Sequence, residues 1–338
     1  MTNFYTFLVL FALSFGFIWC FKFYACKHNL VDHPNQRSSH VIPTVSGGGV
    51  VFVILWLLYV LYSCFIGIVS LQSMLVFLPG AFLVALIGFV DDHKQISARW
   101  RFLIYLIAAT ISIITLGGFS SLMIAGHVLH WGWVGSIFAI VAIVWSINLY
   151  NFMDGIDGIA AIEAVFVFGI GGYFIWNAGG YGLAMLAWGL VVLIFGFLVW
   201  NFPPAKIFMG DVGSAFLGFL VVVFALAGEH WYKVPAILWL MLYGVFAFDA
   251  TVTLIRRVLA GEKWYTAHRL HAYQRLQLKN WSHKRILLRV IAINVVLAVV
   301  TLGAYFWPRY FIILFVVELI MLAIIYLVVE KMQPMYEN

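Results

Sequence analysis

Long apolar segments alternate with short polar ones along the whole chain. Most apolar segments are long enough for a helix that crosses a bilayer, which takes about 20 residues. The eleven segments lie near residues 4–25, 48–69, 74–90, 102–117, 134–149, 159–176, 181–200, 212–228, 234–255, 286–306 and 310–329. The pattern predicts an all-α integral membrane protein with ten or eleven transmembrane helices, and eleven is the number we expect. The segment at 74–90 is short, so its ends are the least well defined.

Composition agrees with a chain that lies mostly in lipid. The 338 residues are 65% hydrophobic and only 9% charged, with a mean hydropathy of +1.05. Soluble domains carry about 25% charged residues, so a soluble fold is excluded. No linker or low-complexity stretch interrupts the pattern, which predicts one polytopic domain over residues 1–338.

The distribution of basic residues predicts the orientation. All 19 Lys and Arg residues except Lys233 and Arg309 fall on or beside alternate connections, starting with residues 26–47. Basic residues mark cytoplasmic loops, so we expect a periplasmic N-terminus, a cytoplasmic C-terminus and a chain that crosses the membrane many times. The same rule explains the net charge of +6, with attraction to membrane lipids as a consequence. No separate basic domain is present to bind nucleic acid.

The most polar stretch between two apolar segments reads Asn148-Leu-Tyr-Asn151-Phe-Met-Asp154-Gly-Ile-Asp157-Gly158. If it is helical, Asn151, Asp154 and Asp157 fall within about a 120° sector of one face. Carboxylates are costly in a bilayer, so such a cluster marks a functional site or a wet boundary. The alternative is a hydrophilic loop that caps two helices, for which one such residue would suffice.

Paired carboxylates end the third apolar segment, in the sequence Asp91-Asp92-His93-Lys94. Adjacent carboxylates repel each other and call for a metal ion, a lysine or both. Lys94 follows Asp91 by three residues and is placed to share its helix face. A solvated helix end is the alternative, although anions are disfavoured at helix C-termini.

A second acidic position stands where the eighth apolar segment begins, in Lys206-Ile-Phe208-Met-Gly-Asp211. We expect Asp211 at the N-cap of a helix, beside its positive end. Capping alone would explain it. Lys206, Asp211 and a helix N-terminus together also suit a phosphate with a divalent cation.

Two further cytoplasmic loops carry candidate phosphate ligands. Arg37, in the first loop, has a planar fork for phosphate oxygens, or serves as a positive-inside anchor. The glycines at 47–49 allow either close approach to a ligand or tight helix packing. In the last loop, His268, Arg269 and His271 suit a pyrophosphate better than zinc. Positive-inside charge alone would also explain the basic residues of this loop.

These segments bring at least five carboxylates, several amides and many cations to one side of the membrane. Hard oxygen donors suit Mg²⁺, which binds through one or two carboxylates and substrate phosphates. The residues therefore predict magnesium-dependent transfer at the cytoplasmic surface. A transporter or flippase is the alternative, but its charges are expected near the bilayer midplane.

Four motifs, in this order, resemble the polyprenyl-phosphate N-acetylhexosamine-1-phosphate transferases of glycosyltransferase family 4. They are Asp91-Asp92, the stretch from Asn148 to Gly158, Pro204-Ala-Lys206-Ile-Phe-Met-Gly-Asp211-Val-Gly-Ser214 and His268-Arg-Leu-His271. The likeness is closest to the WecA- and WbpL-like branch and more distant to MraY. The segment written Pro-Thr-Pro-Arg-Gly-Gly in the family is Pro43-Thr-Val-Ser-Gly-Gly here, so one basic residue is missing.

The resemblance implies a role for each matched position. Asn151 and Asp211 resemble metal ligands for Mg²⁺, with Mn²⁺ as an alternative ion. The residues that resemble catalytic carboxylates are Asp91, Asp92, Asp154 and Asp157. Those that we expect to bind substrates are Arg37, Lys94, Asn148, Asn201, Lys206, Phe208, His268, Arg269 and His271.

The implied reaction moves a sugar 1-phosphate from a UDP-N-acetylhexosamine to undecaprenyl phosphate and releases UMP. The donors we expect are UDP-FucNAc, UDP-QuiNAc or UDP-GlcNAc. The product starts O-antigen or another cell-surface glycan, and the resemblance implies a multi-pass protein of the bacterial inner membrane. The sequence leaves the sugar, a homodimeric state and a one-step or two-step route open.

Overall fold

The computed structural model describes residues 2–28, 31–32, 43–94, 96–263 and 268–336, and they form a helical protein. The helices are α1 Thr2–Lys27, α2 Gly49–Phe65, α3 Leu71–Lys94, α4 Ala98–Leu116, α5 Trp133–Met153, α6 Ile159–Asn177, α7 Tyr181–Asn201, α8 Asp211–Tyr232, α9 Ala236–Leu242, α10 Gly244–Leu259, α11 Ala272–Leu278, α12 His283–Phe306 and α13 Phe311–Met332. A 3₁₀ turn, Pro308–Tyr310, precedes α13.

Two small antiparallel pairs complete the fold. The strands are β1 Val31–Asp32, β2 Thr44–Val45, β3 Ser121–Ile124 and β4 His127–His130. β1 pairs with β2, and β3 pairs with β4 across a two-residue turn, with Ile124 opposite His127. Ala125 and Gly126 in that turn both have positive φ, as a tight hairpin turn requires.

Each predicted apolar segment coincides with a helix or a helix pair. Nine of the described helices are long and apolar enough to cross a membrane, and α2 is shorter, at 17 residues. The prediction of one continuous helix over 234–255 is wrong. The chain breaks between α9 and α10, which meet at an angle of 80°. The all-α, multi-pass fold is confirmed, while the number of spans and the orientation stay predictions.

α8 is the most buried of the long helices and lies at the centre of the core. Glycines let its neighbours approach closely. A Cβ on Gly49 of α2 would lie 2.7 Å from Gly213 Cα, and one on Gly218 would lie 2.5 Å from the Ser146 carbonyl of α5. The glycine run near residue 49 therefore serves helix packing, the second of the two alternatives for these glycines.

Glu163 lies in the core, in the second turn of α6. Its side chain is fully buried, and Asn294 Nδ2 of α12 donates a hydrogen bond to Glu163 Oε2 over 2.7 Å. A buried carboxyl needs such a partner, so this pair joins α6 to α12.

Candidate active site

The first turn of α8 forms the centre of the site. Gly210 precedes it with a φ of +76°, and a Cβ there would lie 2.7 Å from Asp92 Oδ2. Asp211 is the first helical residue, so the prediction that it occupies the N-cap is wrong. Asp92 supplies the cap instead. Its two oxygens accept hydrogen bonds from the backbone N–H groups of Asp211, over 2.8 Å, and Val212, over 3.2 Å.

Asp91 faces a cation that the sequence reasoning did not assign. Arg101 Nη1, at the start of α4, lies 2.5 Å from Asp91 Oδ2 and 3.6 Å from Asp211 Oδ2. The backbone N–H of Ile96 donates to the other oxygen of Asp91 over 2.6 Å. Arg101 thus joins the carboxylates of α3 and α8, and it occupies the place expected of Lys94. The available signal was a basic residue at the start of the helix that follows the paired aspartates.

Asn151 is held against α8 by one side chain. Ser214 Oγ donates to Asn151 Oδ1 over 2.7 Å, and Ser214 lies one turn after Asp211. The prediction that Asn151, Asp154 and Asp157 share one helix face is wrong. α5 ends at Met153, and Gly158 has a φ of +77°, so both aspartates lie in a loop between α5 and α6.

Asp154 is the first residue of that loop and lies among other acids. Burial, together with the negative charges of Asp92 and Asp157, raises the pKa of its carboxyl to about 7. The carboxyl is therefore poised between its neutral and charged forms near neutral pH. A cation at the cluster would favour the charged form.

This shift predicts a pH-dependent stability. Between about pH 4 and pH 7 the folded state holds a proton on Asp154 that the unfolded state has lost, so stability falls as pH rises through that window. We therefore expect Asp154→Asn to be more stable than the wild type by a larger margin at pH 8 than at pH 5. Thermal unfolding in EDTA measures both margins.

Glu262→Gln is the control for this prediction. The hydrogen bond with Arg257 lowers the pKa of Glu262, so its charge contributes stability at any pH above its ordinary pKa of about 4.3. Glu262→Gln should therefore lose nearly the same stability relative to the wild type at pH 5 and at pH 8. Equal differences for Asp154→Asn at both pH values would contradict the assigned shift.

Asp157 and Asn201 form hydrogen bonds that join the loop between α5 and α6 to the loop between α7 and α8. His283 Nδ1, at the start of α12, lies 3.0 Å from Asp157 Oδ1, and the Ala205 N–H donates to Asp157 Oδ2 over 2.9 Å. Asn201 accepts from the Gly158 N–H over 3.0 Å and donates to the Ile207 carbonyl over 2.8 Å. Asn201 therefore holds two loops together through its amide.

The histidine segment, His268 to His271, lies beside the C-terminal end of α5. The rings of His268 and His271 are 4.8 Å apart, so the two histidines do lie side by side. Both face Phe152, at centroid distances of 6.5 and 6.4 Å. Burial lowers the pKa of His268 to about 4, so its ring is neutral at pH 7. The positive charge of this segment comes from the half-buried Arg269.

Two acids, the buried Asp249 and the half-buried Glu330, hold the histidine segment and the helix α11 that follows it. Asp249 of α10 accepts from the Ala272 N–H, over 3.0 and 2.9 Å, and lies 3.6 Å from His271 Nδ1. Glu330 of α13 contacts Arg275 of α11 at 2.5 Å. His271 is buried on the Asp249 side, so it positions the segment.

Other predicted residues lie apart from the carboxylates. Lys94 is exposed, and the Asn148 amide donates to the Val144 carbonyl of its own helix. Lys206 Nζ lies 5.6 Å from the centre of the Trp200 ring. The backbone of Phe208 bonds to the segment around β2. Arg37 lies outside the described residues.

The oxygen donors at the start of α8 suit Mg²⁺. Within the described ranges, no group of three or more His, Cys, Asp or Glu side chains is arranged to hold a metal ion by itself. Asp211 instead offers a carboxylate at the first residue of α8, and Asn151 offers an amide oxygen where it contacts Ser214, one turn further along the same helix. Mg²⁺ commonly binds in this way, with water and substrate phosphates as its remaining ligands.

The fold and this cluster define a multi-pass membrane protein with an acidic site at the end of its central helix. The glycosyl transferase family 4 profile matches residues 74–229, which contain Asp91, Asp92, Asn151 and Asp211. The chain is 33% identical to the "Probable undecaprenyl-phosphate N-acetylglucosaminyl 1-phosphate transferase" of Bacillus subtilis (strain 168), over 92% of this chain and 88% of that protein.

Two more distant relatives carry the name "Phospho-N-acetylmuramoyl-pentapeptide-transferase". The protein from Geobacillus thermodenitrificans (strain NG80-2) is 28% identical over 65% of this chain and 70% of its own length. The one from Bacillus subtilis (strain 168) is 30% identical over 52% of each chain. The chain belongs to glycosyl transferase family 4, the polyprenyl-phosphate sugar-1-phosphate transferases. The family predicted from the four motifs is confirmed.

Proposed function

We propose that the protein transfers an N-acetylhexosamine 1-phosphate from a UDP-sugar to undecaprenyl phosphate and releases UMP. The observation that carries the proposal is the grouping of Asp91, Asp92 and Asp211 with Arg101 at the start of α8, in a chain of this family. Two phosphate-bearing substrates repel each other, so such a site needs cations that neutralise charge and carboxylates that hold them.

Different residues act on the donor and on the acceptor. Asp211 and Asn151 would hold Mg²⁺, which neutralises charge on the donor diphosphate when it is bound. Arg269 and the neutral His268 donate to the diphosphate oxygens. Asp91, held by Arg101 and the Ile96 N–H, orients the acceptor phosphate for attack on the sugar-linked phosphorus. The P–O bond to UMP breaks as the new P–O bond forms.

N-acetylglucosamine is the first donor sugar to test, followed by FucNAc and QuiNAc. The name of the Bacillus subtilis relative, which aligns over 92% of this chain, supports this order. We place the enzyme in the bacterial cytoplasmic membrane, with the cluster facing the cytoplasm. The distribution of basic residues supports this orientation. The product would start a cell-surface glycan such as an O-antigen.

UMP release tests the function. Purified protein receives undecaprenyl phosphate and, in turn, UDP-GlcNAc, UDP-FucNAc and UDP-QuiNAc, with Mg²⁺, with Mn²⁺ or with EDTA. We expect turnover of one donor that EDTA abolishes and Mg²⁺ restores. Turnover in EDTA would refute the metal assignment. No UMP from any donor, with the protein folded and both substrates soluble, would refute the reaction.

Arg101→Gln is expected to lower both the Mg²⁺ requirement and the maximal turnover. Without the guanidinium, Asp91 and Asp211 carry uncompensated charge, so a divalent cation binds more easily while Asp91 is held less firmly. We expect half-maximal turnover at a lower Mg²⁺ concentration and a maximal turnover reduced by about ten- to a hundredfold, as for a lost charged hydrogen bond. Both parameters come from a Mg²⁺ titration.

Arg99→Gln is the matched control, because Arg99 is an exposed arginine in the same first turn of α4. It should leave both parameters near the wild-type values. A higher Mg²⁺ requirement in Arg101→Gln would show that Arg101 acts in some other way than by partly compensating the carboxylates.

A further inference from the structure

A basic groove lies at the start of α12, on the side away from the carboxylate cluster. It has a volume of about 490 Å³ and is lined by Ser282, Lys284, Arg285, Leu288, Arg289 and Ala292. Three of the six residues are cations, and Leu288 and Ala292 make the rest of the helix face apolar. We propose that this groove binds the headgroup of an anionic phospholipid from the membrane leaflet that the cluster faces.

The helix geometry separates the groove from the reaction. At about 100° per residue, His283, Ile286, Leu287 and Val290 fall on one side of α12, and that side is the buried one. Lys284, Arg285 and Arg289, together with Leu288 and Ala292, fall on the opposite side. His283 reaches Asp157 of the site, whereas the helix itself stands between the groove and that site. A lipid held in the groove is therefore not the acceptor in the reaction.

Among the described residues, the charges in the groove have no acidic partner. In the part of the chain that the structure describes, Arg101, Arg256, Arg257 and Arg275 each pair with a carboxylate. No such pair is formed there by Lys284, Arg285 or Arg289, and the Arg285 guanidinium lies 3.9 Å from the centre of the Trp281 ring. Three cations on one helix face favour an anionic ligand.

The surroundings indicate that this anion is part of a lipid. Arg289 lies six residues into α12, about 9 Å along the helix axis. Beyond it the same face continues with Val295, Val296 and Val299, which are 47, 45 and 65% exposed. An exposed apolar face on a membrane helix contacts acyl chains. A lipid with a phosphodiester headgroup and two acyl chains complements both the cations of the groove and the apolar face beyond them. A soluble anion or a nucleic acid complements only the cations.

Lipid retention tests the proposal without any turnover. The wild type, a groove variant (Lys284→Gln/Arg285→Gln/Arg289→Gln) and a charge-matched control (Arg99→Gln/Lys279→Gln/Lys331→Gln) are equilibrated in detergent with equal amounts of phosphatidylglycerol and phosphatidylcholine of the same chain length. The control removes three exposed cations elsewhere. Native mass spectrometry then counts the lipids that each protein retains.

We expect the wild type and the control to retain phosphatidylglycerol over phosphatidylcholine, and the groove variant to lose that preference by about tenfold or more, since each basic residue contributes about fivefold. Equal retention in the wild type and groove variant, or an equal loss in the control, would overturn the proposal. So would displacement of phosphatidylglycerol from the wild type by an equal amount of undecaprenyl phosphate.

Fluorescence keeps the proposal testable if the groove variant does not fold. Brominated lipids quench a nearby indole, and Trp281 lies at the groove. The difference in quenching between the wild type and Trp281→Phe gives the part that comes from Trp281. This part should be larger with brominated phosphatidylglycerol than with brominated phosphatidylcholine. Equal quenching by the two lipids would refute a site selective for the anionic headgroup.

Discussion

Asp211→Asn is expected to lower UMP release by at least about a hundredfold while the protein stays folded. The asparagine keeps the size of the side chain and one oxygen, but it removes the charge that would hold Mg²⁺ beside Asn151. The helix start is preserved, because Asp92 bonds to the backbone N–H groups of residues 211 and 212, which the substitution leaves in place. Turnover over a range of Mg²⁺ concentrations, with thermal unfolding of the same preparation, measures both effects.

Glu229→Gln, at the other end of α8, is the matched control for Asp211→Asn. Glu229 accepts from the Met123 and Ala236 N–H groups, each over 2.6 Å, and so ties β3 and α9 to α8. Its neutral form bonds more weakly, so we expect lower stability with turnover close to the wild type. Wild-type turnover in Asp211→Asn, or an equal loss in Glu229→Gln, would show that the start of α8 is not the metal site.

The sequence predicted the helices because each apolar segment is a local property of the chain. It also predicted that Asp91, Asp92 and Asp211 belong to one site, since basic residues and paired acids gather on the same side. It did not predict how they meet. Asp92 caps α8 only because α3 crosses α8 in contact, and the sequence alone does not show where two helices cross.

The prediction of one helix face within residues 148–158 is wrong for a local reason. Spacing alone put Asn151, Asp154 and Asp157 on one face, but each aspartate is followed by a glycine, and Gly158 adopts a positive φ. Asp-Gly pairs favour turns, and this signal outweighs a three-residue spacing.

The break between α9 and α10 had no comparable signal. No proline marks it, and Gly244, where α10 begins, is also explained by close packing against Leu297 of α12 and Leu322 of α13. One glycine in an apolar segment does not by itself end a helix, so the break depends on packing that the sequence does not show. Arg101 was missed for a related reason, because its contact with Asp91 depends on how the chain turns between α3 and α4.

Gly88→Ala is expected to destabilise the protein and to reduce turnover together. A Cβ on Gly88 would lie 2.7 Å from the carbonyl oxygen of Asp211 and 2.8 Å from Val212 Cα. Both are backbone atoms that cannot rotate away, so α3 and α8 must separate. Asp92 lies one turn further along α3, and the separation weakens its two hydrogen bonds to α8 and moves Asp91 away from Asp211. Crowding of this kind costs about 1–3 kcal/mol.

Gly16→Ala separates this crowding from the general effect of replacing glycine in a helix. No atom lies within 4 Å of a Cβ placed on Gly16 of α1, so alanine there should be neutral or stabilise by about 0.5–1 kcal/mol, as in most helices. Thermal unfolding and UMP release of the two variants distinguish crowding between α3 and α8 from this general effect. A Gly88→Ala protein as stable and active as Gly16→Ala would mean that the contact between α3 and α8 does not set the geometry of the site. If Gly88→Ala folds but is slow, the spacing of these helices is itself a determinant of catalysis.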